Sequence, residues 1–138
     1  MRMSDDLIEL GMKADRVRMA LYPDNMVTYC CEESSFGNSE AVRVVFEPGM
    51  TGVDYLTRVA RQRLEEPSRH IEVDWRGAGL KIAQLALRFG ADDFGCVTGE
   101  STEKPARETT EEDIRRIIRD AGFVPKRRDA TYRSLSLY

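Results

Sequence analysis

The sequence predicts an α/β fold, a mixed sheet of about four strands flanked by helices. Three observations predict it. From Ala41 onward, short runs rich in β-formers alternate with amphipathic helical runs, strand then helix, three times over. The chain has 138 residues, which is one domain's worth and short of the roughly 250 that a complete eight-stranded α/β barrel needs. Hydrophobic residues make up 41% and charged residues 33%, a balance that suits a globular core and not a disordered chain. No repeat, low-complexity stretch or linker divides the sequence, so residues 1–138 read as a single domain.

Taken in order, Ser4 caps a first helix, with Leu7, Leu10, Ala14, Val17 and Leu21 on one face, and Pro23-Asp24-Asn25 ends it. Met26–Cys31 reads as a strand and Glu32–Glu40 as a polar loop. Ala41–Phe46 is a second strand. Thr51 caps a helix carrying Val53, Leu56, Val59, Ala60 and Leu64, stopped by Pro67. Ile71, Val73 and Trp75 alternate with Glu72 and Asp74, the period of a half-exposed strand. Leu80–Phe89 is a helix with Ile82, Leu85, Ala86 and Phe89 inward, closed by Gly90. Asp92–Val97 is a short strand or strand-like turn. Thr98–Glu108 is a polar loop. Thr109-Thr110-Glu111-Glu112 fits a capping box before a helix with Ile114, Ile117, Ile118 and Ala121 inward. Phe123-Val124-Pro125 and a basic tail finish the chain.

Charge and cysteine content exclude several classes. With 21 basic and 24 acidic residues the net charge is −3, which argues against a nucleic-acid partner. No apolar run approaches the ~20 residues of a membrane span, and Met1–Asp6 is too acidic for a signal peptide. Three cysteines form no paired framework, so a reducing cytoplasm is expected.

Several segments resemble one enzyme family. His70–Trp75 and Lys81–Gly95 are similar to the last β-α units of the radical SAM menaquinone enzymes, namely dehypoxanthine futalosine cyclase, aminofutalosine synthase and the deazaflavin (FO) synthases. Thr51–Leu56 resembles the preceding helix start. Ala121–Pro125 and Arg128–Tyr132 resemble the C-terminal segment, and Asp6–Gly11, Ala14–Arg18 and Pro23–Tyr29 the N-terminal one. The resemblance implies a partial (β/α)-barrel-like sheet and a link to menaquinone (futalosine) biosynthesis. It also has a gap. In the family, the strand at Val27–Tyr29 leads into a CxxxCxxC loop that binds a [4Fe–4S] cluster. Here it leads into Cys30-Cys31-Glu32-Glu33 and then directly to the late strand near Val42. No residue matches the cluster ligands, so reductive cleavage of S-adenosylmethionine is not carried over and no cofactor is expected.

Candidate site residues each have two readings. Glu72 and Asp74 share one strand face and Trp75 follows, so they could grip a polar ligand, or simply face solvent. Asp92 and Asp93 could hold a ribose or act in acid–base chemistry, or bond local backbone in a turn. Glu100 lies where relatives place a pocket loop, within a run that also suits a solvated loop. Cys30, Cys31 and Cys96 are weak metal candidates, since strand neighbours point to opposite faces and converge poorly; small buried hydrophobes are the plainer reading. Lys126-Arg127-Arg128 with Tyr132 and Arg133 could meet phosphates or pack, and His70 reads as neutral and structural. No catalytic residue is assigned.

The architecture raises its own question. Four parallel strands do not close a barrel, and the nine-residue loop Glu32–Glu40 is short for a parallel crossover. The first strand is therefore expected to run antiparallel to its sequence neighbour or to pair elsewhere. Uncovered edges predict a homo-oligomer, most simply a twofold dimer. The functional expectation is a degenerate radical SAM-like remnant, binding a nucleoside-like small molecule or assisting a full-length radical SAM relative. The alternatives are a cofactor-free enzyme using Asp or Glu carboxylates, and a cysteine-ligated iron–sulfur protein.

Overall fold

The computed structural model describes residues 4–31, 41–96 and 109–129. Helix α1 spans Asp5–Leu21, with the Ser4 hydroxyl accepting from the Leu7 N–H. Strand β1 (Met26–Cys30) follows, then β2 (Ala41–Val44) and α2 (Gly52–Glu65). Strand β3 (His70–Val73) leads through the one-turn α3 (Trp75–Ala78) into α4 (Leu80–Ala86) and a 3-10 turn at Leu87–Phe89. Strand β4 (Asp93–Cys96), helix α5 (Glu111–Asp120) and strand β5 (Val124–Arg128) complete the described residues.

The five strands form one sheet in the order β2-β3-β4-β1-β5, and every pairing is parallel. An α/β fold with a barrel-like open sheet is what the sequence predicts. Two details differ from it: there are five strands, not about four, and their orientation is uniform, not mixed. The uniform direction arises because each strand except β2 follows a helix that returns the chain to the same end of the sheet. Strand β1 pairs elsewhere than with its sequence neighbour, between β4 and β5. The fifth strand is the stretch that reads as a tail. Pro125 is tolerated there because β5 is an edge strand, and the ladder bond at its start comes from the Val124 N–H, which donates to the Asn25 carbonyl.

Helices cover one face. Val27, Tyr29, Val44, Ile71, Val73 and Phe94 point from the strands into a core shared with Leu56, Val59 and Ala60 of α2 and Ile114 and Ile118 of α5. Helix α1 packs on α2 and the 3-10 turn, with Leu7, Gly11, Ala14 and Arg18 inward. Leu21, read as part of that apolar face, is 40% exposed. The capping box of α5 joins Thr110 to Asp113, one residue later than the pattern suggests. No helix among the described residues is long and apolar enough to cross a membrane.

Candidate functional site

Strand alternation puts a different set of side chains on the other sheet face. Register places Arg43 beside Glu72, Glu72 beside Asp93, Asp93 beside Thr28, and Thr28 beside Lys126, so one polar row crosses all five strands. The Arg43 guanidinium donates to Glu72 Oε1 from Nε at 2.9 Å and from Nη2 at 2.7 Å. Arg128, from the end of β5, stands between the two acids. It donates to Asp93 through both Nε and Nη2, and its Nη2 lies 3.8 Å from Glu72 Oε2. Asp93 also accepts from the Thr28 hydroxyl at 2.5 Å and the Gly95 N–H at 2.7 Å.

These charges are withdrawn from water. Glu72, Asp93 and Arg128 are 5%, 0% and 1% exposed. Burial pushes the Asp93 carboxyl above its ordinary range, and the Arg128 guanidinium pulls it back. Every group bonded to Asp93 is a donor, which suits a carboxylate. Arg43, at the edge strand, keeps 27% of its side chain exposed and is the open end of the row.

The expectation that Glu72 lies on a half-exposed strand is corrected: β3 is buried from Ile71 to Val73, because its second face carries this ion network. Asp74 and Trp75 are not strand residues either. Asp74 caps α3, accepting from the Gly77 N–H at 3.0 Å and the Phe46 N–H at 2.9 Å. Trp75 is buried, and its indole N–H reaches the Cys96 carbonyl at 3.3 Å. Both sit past the C-terminal end of β3, the side on which open α/β sheets hold ligands.

Asp92 lies at the opposite end. Its Oδ1 accepts from Arg63 Nη2 at 2.7 Å and from the Ile71 N–H at 2.6 Å, and its Oδ2 is 2.7 Å from His70 Nδ1. Arg63 also donates to the carbonyls of Gly90, Pro67 and Arg69. This cluster ties the turn before β3 to the turn before β4. Adjacent in sequence, Asp92 and Asp93 therefore serve separate networks. Burial lowers the His70 pKa, but the Asp92 hydrogen bond and charge outweigh it and leave it raised, which shifts the ring toward the protonated form.

Glu100, Tyr132 and Arg133 lie outside the described residues. Arg128 is buried in the row, while Arg127 lies 3.9 Å from Glu111. Cys30 and Cys96 are register partners across β1 and β4. Among the described residues no group of three His, Cys, Asp or Glu is placed to hold a metal. Three thiols at positions 30, 31 and 96, two of them adjacent on the chain, do not fit a CxxxCxxC cluster loop. Sequence reading missed Arg43. The signal was present, since Arg43 between two valines, Glu72 between Ile71 and Val73, and Thr28 between Val27 and Tyr29 share one alternation.

The model of the CofH/MqnC C-terminal region matches residues 36–137, which includes β2 to β5 and so most of the polar row. The chain belongs to the CofH/MqnC family. Similarity to curated members agrees. The 5-amino-6-(D-ribitylamino)uracil–L-tyrosine 4-hydroxyphenyl transferase of Methanothermobacter thermautotrophicus is 38% identical over 96 residues, covering 64% of this chain and 26% of that protein. The aminodeoxyfutalosine synthase of Streptomyces coelicolor is 38% identical over 96 residues, covering 64% and 25%. The cyclic dehypoxanthine futalosine synthase of the same organism is 32% identical over 90 residues, covering 62% and 23%. The chain thus spans about a quarter of the length of the CofH/MqnC relatives it matches. The resemblance to radical SAM menaquinone enzymes read from the sequence is the same relationship.

Proposed function

We propose that this chain is a small-molecule-binding or accessory member of the CofH/MqnC family, acting in the cytoplasm on the substrate side of menaquinone (futalosine) or related biosynthesis and performing no radical chemistry of its own. The ligand class is a nucleoside-like molecule, a polar heterocycle carrying a ribosyl or ribityl group; a ribitylaminouracil stands in the name of the Methanothermobacter thermautotrophicus relative. One observation carries the reading: the row Arg43–Glu72–Arg128–Asp93 on the sheet face away from the helices. Withdrawing the three charged groups Glu72, Asp93 and Arg128 from water contributes little net stability compared with apolar residues of similar volume. Perturbed, paired charges of this kind concentrate at binding sites. Hydroxyls of a ribosyl or ribityl chain can bond the partly exposed Arg43 guanidinium at the open end. The two sheet edges, β2 and β5, are closed by a second copy in a twofold dimer, and a full-length radical SAM relative is the further partner this reading allows.

A thermal-shift screen with adenosine, inosine, S-adenosylmethionine and a ribitylaminouracil tests the proposal. A ligand present at about 100 times its Kd adds about 2.7 kcal/mol to stability. The expected result is a raised melting temperature with a ribosyl or ribityl compound, lost in Arg43→Met. No shift with any of the four would remove the small-molecule reading; the accessory reading would then rest on co-purification with a full-length relative.

A further inference from the structure

Cys30 and Cys96 meet through a local irregularity. Thr28 of β1 stands opposite Asp93 of β4, and two residues further along β1 Cys30 stands opposite Cys96. In a regular ladder the partner would be Gly95, and Cys96 would project toward the helices. Gly95 adopts φ 79° within the shifted stretch, where it can take up the additional residue, so that Cys96 and not Gly95 stands opposite Cys30. Neighbouring strands lie about 4.8 Å apart, inside the roughly 4.4–6.8 Å Cα separation that disulfides span. Neither cysteine is disulfide-bonded; Cys30 is fully buried and Cys96 half-buried. Cys31 is the competing thiol. Burial and the Glu111 charge push it up to about 11, leaving it little thiolate at neutral pH.

We propose that Cys30 and Cys96 form a reversible dithiol modification site, closed to an intramolecular disulfide by a low-molecular-weight disulfide such as oxidised glutathione. The accessible Cys96 thiolate attacks one sulfur of the oxidant, forming a mixed disulfide and expelling one thiolate. The Cys30 thiol then gives up its proton and attacks the Cys96 sulfur, expelling the second. The two cysteines lose two electrons, the oxidant gains them, and the two cysteine protons end on the two released thiols. The new bond would pin the end of β1 to the bulge of β4, one ladder step from Asp93 and beside the carbonyl that holds the Trp75 indole.

Peptide mapping tests this. The full chain is incubated with oxidised glutathione, residual thiols are alkylated, and the protein is digested without reduction. The expected product joins the Cys30 and Cys96 peptides, is two hydrogens lighter than their sum, and separates with dithiothreitol. Cys31→Ser should retain the cross-link, and Cys96→Ser, at the more exposed position, should lose it. The proposal is overturned if Cys31→Ser yields only glutathione adducts or no reaction. It is equally overturned if Cys30→Ser still cross-links to Cys96 through Cys31.

Discussion

Arg63 and Arg18 are both fully buried guanidinium groups, and they differ in what surrounds them. Arg63 donates to three carbonyls and to Asp92. Arg18 bonds only Asp15 through Nε and Nη2, lies 4.4 Å over the Phe123 ring, and keeps a buried Nη1 with no hydrogen-bond partner among the described residues. Removing one member of a satisfied buried pair strands the other. Arg63→Met should therefore cost about 3–5 kcal/mol in urea unfolding, whereas Arg18→Met should change stability by less than about 1 kcal/mol or raise it. His70 sets a pH dependence. Its folded pKa is raised by Asp92, so its stabilising contribution is complete below the unfolded value of about 6.5 and is lost as pH rises through the folded value. Urea midpoints taken across that window should fall with pH in the natural chain, and the fall should be smaller in His70→Asn. Of these residues, the sequence exposed Asp92 as a turn or a ligand but not its partner, because Arg63 lies on the inner face of a helix whose period marks only the apolar positions.

At the scale of elements, helix starts were the most legible. Ser4, Thr51 and Thr110 each cap as their chemistry requires, since a hydroxyl satisfies an N–H that the helix leaves unpaired. Thr51→Ala, which breaks the reciprocal pair with Asp54, should cost about 0.5–2 kcal/mol by chemical denaturation. Gly95 is a harder position. A Cβ there would stand 2.7 Å from Glu72 Oε1 on a left-handed backbone. Gly95→Ala should cost about 1–3 kcal/mol and displace Glu72, seen as a lowered melting temperature with loss of any ligand shift. The bulge was not legible, because a strand of four residues shows no interruption of period. Strand β5 was hidden for another reason: a proline and three basic residues suit an edge whose buried members are Pro125 and Arg128, the latter held by acids from two other strands.

For the whole molecule, the sheet ends at β2 and β5, each with one side of its backbone unpaired by the other described strands. Light scattering at micromolar concentration should give the mass of a dimer; a clean monomer would remove the edge-pairing proposal. The sequence by itself determined the α/β class, the long helices and most of their starts, the family relationship and the polar positions within β1, β2 and β3. These follow from local periodicity and local hydrogen-bond chemistry. Only the tertiary structure decided that β1 inserts between β4 and β5, that all strands run parallel, that Asp92 and Asp93 serve separate networks, and that Arg43, Glu72, Arg128 and Asp93 form one row. Each of those depends on which strand lies beside which, and register between strands distant in sequence is set by packing of the whole sheet and not by any segment alone.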